Sequence, residues 1–208
     1  KIETERKFVA QKRQKLNEMR NRYQRYVDEA KAYGFSFFNK SQYEDDLIMK
    51  VARGFGESEL ELPDGFISEV KRYITFWQKT ERLPQAMAHL EVSGYFPIVI
   101  HALEKEELPL YFAYLPLQES NYDSKAIGPK TRFGIAKGAW QFLPTTGQEY
   151  GLTTGPLVNE RKYDERDERF NFERATSAGA KYLKYLFSTE AQASGLLVLA
   201  SYNYGHSR

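Results

Sequence analysis

Hydrophobic positions recur at helical spacing along most of the chain and form no convincing strand alternation. At the N-terminus Ile2, Val9, Leu16, Tyr23 and Ala30 recur every seven residues. Met19, Tyr26 and Tyr33 supply a second seam position in the later heptads, where Glu5 and Lys12 stand in the earlier ones. The pattern predicts one long helix over residues 1–33, stopped at Gly34. It leaves open whether the seam packs on the chain itself or on a partner helix.

Ser41-Gln42-Tyr43-Glu44 has the capping-box form and predicts a second helix from Ser41 to Arg53. Residues 54–64, rich in glycine and acids and holding a proline, read as a connection. They divide the chain into an N-terminal helical region, 1–62, and a second domain, 63–208. From Asp64 onward Phe66, Val70, Tyr73, Ile74 and Trp77 form one stripe, and a further helix begins near Tyr95 or Phe96. Leu108-Pro109 opens another helix, which Pro116 should bend or end just before Glu119. Residues 121–137 read as a glycine- and lysine-bearing loop, Pro144 starts a short helix, and 150–167 is irregular. Two helices close the chain, Ala175–Leu186 and Glu190–Tyr204. The class expected is all-α.

Composition changes this picture little. The chain has 208 residues, 41% hydrophobic and 15% aromatic, enough for a core. The net charge of +2 is too small to argue for nucleic acid, although nine Lys and Arg face three Glu in the first 25 positions. With no cysteine, disulfides and thiolate metal sites are excluded. The chain begins at Lys1, so a signal peptide or anchor ahead of it is compatible with the sequence.

Most chemistries find no residues to carry them. His89, His101 and His206 are widely spaced and lack metal-ligand spacing, and there is no nucleophile elbow, phosphate loop or dinucleotide fingerprint. Glu119 differs in its setting, behind the apolar and aromatic run Tyr111, Phe112, Tyr114, Leu115 and Leu117. A carboxyl desolvated there would hold its proton to higher pH, as a general acid must.

Leu115-Pro116-Leu117-Gln118-Glu119-Ser120, Gly138-Ala139-Trp140-Gln141-Phe142 and Ala200-Ser201-Tyr202-Asn203-Tyr204-Gly205, in that order, resemble the catalytic core of the soluble-lytic-transglycosylase and goose-type-lysozyme superfamily. The resemblance is nearest to the membrane-bound lytic murein transglycosylase D type. It extends over about residues 64–208 through Arg72-Tyr73-Ile74, Gly94-Tyr95-Phe96-Pro97, Tyr150-Gly151-Leu152 and Asp164-Glu165-Arg166-Asp167.

The resemblance implies a lysozyme-like helical domain that cleaves the MurNAc–GlcNAc bond of peptidoglycan and leaves 1,6-anhydro-MurNAc. Glu119 would be sole acid and base, with Gln141, Tyr202 and Asn203 binding substrate, and no metal or cofactor is implied. Trp140 would stack on a sugar or fill the core, and Asp164 and Asp167 would cap or pair. Asp123 is the candidate second carboxylate for a hydrolytic alternative. A non-catalytic scaffold in an envelope machine is a third reading.

The implied partner is the glycan strand, with an envelope protein or a second copy bound through the N-terminal helix as a further possibility. The implied address is the periplasm or cell envelope. The sequence departs from the family at Gly128, where a serine is usual, so that a hydrogen-bond donor to Glu119 is either missing or supplied by Thr131. Further departures are the longer loop around it, Tyr204 in place of a small residue, and the chain's end where the family usually continues.

Overall fold

The computed structural model describes Glu18, Asn21, Arg25 and residues 40–58, 62–189, 191 and 194–204. Glu18, Asn21 and Arg25 are helical and exposed. The rest of the expected 1–33 helix, its stop at Gly34, and Gly205 and His206 lie outside the described residues. The chain divides into two compact units, Lys1–Leu47 and Ile48–Arg208.

Helix α1, Lys40–Gly54, matches the capping-box expectation to within a residue at each end. Its second half presents Ile48 and Ala52 as buried side chains, and Phe55 just beyond it sits edge-on to Phe112 at 5.2 Å. Helix α2, Phe66–Gln78, carries the expected apolar stripe, yet none of its residues is buried and Phe76 is 64% exposed. Periodicity marked the helix correctly but did not say whether anything covers it.

Helix α3, Arg82–Ser93, was not anticipated. Pro84 lies in its first turn, where a missing N–H costs nothing, and Ala86 and Leu90 are its only buried residues, so its apolar signal is faint. Gly94, left-handed at φ 70°, ends α3 and opens α4, Tyr95–Lys105. Helix α4 begins where expected and buries Val99 and Leu103 completely.

Pro109 precedes a 3₁₀ turn, Leu110–Tyr114, rather than opening an α-helix. Pro116 does not end a helix ahead of Glu119. It sits in the first turn of helix α5, Leu115–Ser120, which carries Glu119. Residues 121–137 are not all loop, for they contain an antiparallel hairpin, β1 Ile127–Thr131 and β2 Gly134–Lys137. Its register slips between Ile127 and Lys130, where Gly128 and Pro129 interrupt any alternation that could have revealed it.

Helix α6, Pro144–Glu149, and the irregular stretch after it are as expected. A 3₁₀ turn, Glu168–Phe170, leads into helix α7, Phe172–Ser188. The side chain of Asn171 caps α7 by accepting the Arg174 N–H at 3.0 Å. Helix α8, Gly195–Tyr204, starts later than expected.

The core lies around α7, against which α4 and α8 pack. Ala175, Ala178, Gly179 and Ala180 keep one face of α7 thin, and the indole of Trp140 presses onto it. A methyl group at Gly179 would stand 2.6 Å from Trp140 Cε3. The body is helical apart from one small hairpin, in keeping with the all-α class.

Candidate active site

Three segments far apart in sequence meet at the turn Gly138–Gln141. From α5, the Ser120 hydroxyl lies 2.8 Å from the carbonyl of Ala139 and 3.2 Å from that of Pro116, and donates to them. From α8, the Tyr202 hydroxyl donates to the carbonyl of Trp140 at 2.7 Å. Within the turn, the Gln141 side-chain amide donates to the carbonyl of Gly138 at 2.8 Å. Glu119 and Asn203 are the sequence neighbours of the residues that supply these hydroxyls.

The turn is held tightly from below. Gly138 has φ 77°, and a Cβ there would lie 1.8 Å from the carbonyl oxygen of Arg169, so no other residue fits. Gln141 is left-handed at φ 49° without being glycine, a strain of about 1–3 kcal/mol that the surrounding contacts must offset. Trp140 is wholly buried and its indole N–H donates to Thr176 at 3.0 Å. Of its two expected roles it fills the core.

Beneath the hairpin lies a group of buried charges. Arg169 donates from Nε and Nη2 to the two oxygens of Asp167 at 2.8 and 2.6 Å, and from Nη1 to the carbonyls of Ile135 and Phe142 at 2.8 and 3.1 Å. Lys137 donates to the carbonyl of Leu157 at 2.8 Å and lies 3.5 Å from Asp167. All three side chains are fully buried, so each charge depends on its partners for the solvation it gave up. The group clamps both ends of the segment 135–142.

Glu119 is only partly exposed, and no hydrogen bond reaches its carboxyl among the described residues. Burial pushes its pKa above the usual carboxylate range, and the Arg82 guanidinium pulls against that rise. The phenol of Tyr202 is pushed well up by burial first, then by the charge of Glu119 and by Tyr182. Arg82 and Tyr202 are thus the ionisable groups coupled to Glu119, and each makes its hydrogen bonds to other atoms.

The remaining acids are occupied elsewhere. Asp123 is exposed and accepts the Lys125 N–H at 2.8 Å. Asp164 accepts the N–H groups of Leu157 and Arg166, chiefly the first of which holds its carboxyl below the usual range. Asp167 both caps the 3₁₀ turn, accepting the Arg169 N–H at 3.3 Å, and pairs, within the two roles expected of it, whereas Asp164 ties loop N–H groups together. Thr131, named as a substitute donor, spends its hydroxyl on the carbonyl of Gly134 at the hairpin tip. A Cβ at Gly128 would meet Gln141 Oε1 at 3.0 Å, so the missing side chain leaves room for that amide. Asn203 is exposed and donates to the carbonyl of Leu199 at 2.9 Å. The side chain of Tyr204 lies outside the described residues.

Sequence reasoning missed Arg82. It stands on α3, and only the packing of α3 near α5 brings it to Glu119, so no spacing along the chain could have shown it. No cluster of His, Asp or Glu suited to a metal ion occurs among the described residues.

Residues 97–208 match the model of the Transglycosylase SLT domain. The chain belongs to that family, whose helical, lysozyme-like class agrees with the fold described above. Over 119 residues, 57% of this chain, it is 29% identical to the membrane-bound lytic murein transglycosylase D of Escherichia coli strain K12. The same figures hold for the protein of that name in Escherichia coli O6:H1. The match spans 24% of those relatives' length, and Arg82 lies ahead of the family-matched segment.

Proposed function

We propose that this chain is a peptidoglycan lytic transglycosylase that cleaves the MurNAc–GlcNAc β-1,4 bond with Glu119 as its sole acid and base. The observation that carries this reading is one carboxyl of raised proton affinity at the meeting of three family segments. Protonated Glu119 delivers its proton to the bridging oxygen as the C1–O4 bond breaks. The resulting carboxylate then takes the proton of the MurNAc C6 hydroxyl as that oxygen closes onto C1. The product is a 1,6-anhydro ring, and water takes no part.

Ordinary glycoside hydrolysis uses a second carboxylate about 5–10 Å away. The commitments of Asp123 and Asp164 to backbone N–H groups argue against either in that role. In this reading Gln141, with Oε1 unbonded among the described residues, Tyr202 and the exposed Asn203 bind the sugar. Residues 63–208 form the catalytic domain of this reading, to which Ile48 and Ala52 of α1 and the following Phe55 add buried side chains. The proposed address is the bacterial envelope. No helix among the described residues is long and apolar enough to cross a membrane.

The test is mass spectrometry of the products released from purified peptidoglycan by the wild type and by Glu119→Gln. Anhydro-muramyl products that fall about 10²–10⁴-fold in the variant support the reading. Reducing-end muramic acid would replace it with hydrolysis, and no product from the folded wild type would replace it with a scaffold role.

A further inference from the structure

Helix α5 has six residues, too short to hold its own shape; the N–H groups of Asn121, Tyr122 and Asp123 close on the carbonyls of Leu117, Pro116 and Ser120, which leaves the carbonyl of Gln118 and the turn itself to be held by a side chain. Arg82 meets both needs at once. Its Nη2 donates to the carbonyl of Gln118 at 2.7 Å, and its Nε donates to the side-chain oxygen of Asn121 at 2.8 Å. These two anchor points bracket Glu119 in sequence. Asn121 and Tyr122 are both left-handed, at φ 55° and 61°, so the chain turns sharply just after the acid and needs an outside hold. Tyr122 contributes by donating its buried hydroxyl to the carbonyl of Ala113. The Arg82 guanidinium lies 5.0 Å from the ring centre of Trp77 on α2, which fixes its plane.

We propose that Arg82, supplied from ahead of the family-matched segment, is a positioning residue that locks the helix carrying Glu119 and sets the charge facing its carboxyl. The inference rests on the reading of Glu119 as the acid. A cation at a helix C-terminus is favourable in itself, but a lysine ammonium is a point charge without the planar fork needed to bond both anchors in this way. The ionisable groups electrostatically coupled to Glu119 are Arg82 from α3, whose guanidinium bonds the carbonyl of the preceding residue, and Tyr202 from α8. The Tyr202 hydroxyl is engaged with Trp140, which leaves Arg82 as the source of positive charge.

The experiment is a pH titration of the carboxyl carbons in the full chain labelled with ¹³C-glutamate, with the Glu119 signal assigned by its loss in Glu119→Gln. In Arg82→Gln the Glu119 midpoint moves to higher pH, because the anion has lost its cation. In Arg82→Lys the midpoint stays near that of the wild type, while kcat for release of anhydro products falls about tenfold at unchanged KM. An unmoved midpoint in folded Arg82→Gln overturns the proposal, as does full kcat in Arg82→Lys. Should Arg82→Gln fail to fold, the Arg82→Lys arm still decides. The titration needs no turnover, so an inactive wild type whose midpoint still moves in Arg82→Gln would remove the transglycosylase reading and leave the Arg82 role standing.

Discussion

Two carboxyls in this molecule have lost water and been treated in opposite ways. Asp167, under the hairpin, is sealed among two cations, and Arg169 grips both of its oxygens. Glu119, beside the turn above, keeps partial exposure, receives no hydrogen bond among the described residues and has a cation near it that bonds elsewhere. Complete pairing fixes a charge and makes it part of the scaffold. Incomplete pairing leaves a proton that can be moved, while neighbouring groups do the fixing. Arg169 spends its remaining donor on the carbonyls of Ile135 and Phe142, so the charges of the first region hold the frame in which the second is placed.

The sharpest way to break this contrast is Asp167→Ala. It leaves Lys137 and Arg169 buried without their anion and should cost about 3–5 kcal/mol in urea unfolding. A loss below about 1 kcal/mol, typical of an exposed pair, would mean that water reaches the group. A smaller effect should come from Tyr202→Phe, which removes the 2.7 Å hydrogen bond to Trp140 and should cost about 1 kcal/mol of stability. If Tyr202 also serves the reaction, its kcat falls by more than the unfolding data explain; a kcat equal to that of the wild type would confine the residue to packing.

The smallest effect tests the unpaired carboxyl itself. A glutamate whose pKa rises on folding binds more protons in the native than in the unfolded chain. Its favourable contribution is therefore full below the unfolded value of about 4.3 and is lost as pH rises through the folded value. Glu119→Gln escapes that loss, so its melting temperature should exceed that of the wild type slightly at pH 7, with the gap closing near pH 4. A variant less stable at pH 7 than at pH 4, relative to wild type, would show that the anion of Glu119 is stabilised by folding.

Local pattern revealed much of the architecture. The capping box at Ser41, the start of α4 at Tyr95, Pro144 and the alanines of α7 each marked an element that the structure contains. Pro116 was misjudged because a proline in a helix's first turn looks, along the chain, like one that ends the helix before it. The hairpin was hidden by Gly128-Pro129, and α3 by having only two buried residues. The stripe of α2 was legible as helix, but not that Tyr73 and Ile74 stay exposed while Trp77 packs on the core, since burial depends on what other segments come to lie against it.

The site divides in the same manner. The resemblance of the Glu119, Gly138–Phe142 and Tyr202-Asn203 segments, in that order, to a family's catalytic core singled out Glu119, because such segments are legible as strings of residue types. Distances across the fold are not. That Thr131 closes a hairpin tip, that Trp140 fills the core and that Arg82 holds the Glu119 helix were decided only by packing. By itself the sequence determined the helical class, the places of several helices and the carboxyl on which the proposed chemistry turns. Tertiary structure decided which charges are paired and that Glu119 receives no hydrogen bond among the described residues, because hydrogen bonding and loss of water depend on neighbours in space rather than along the chain.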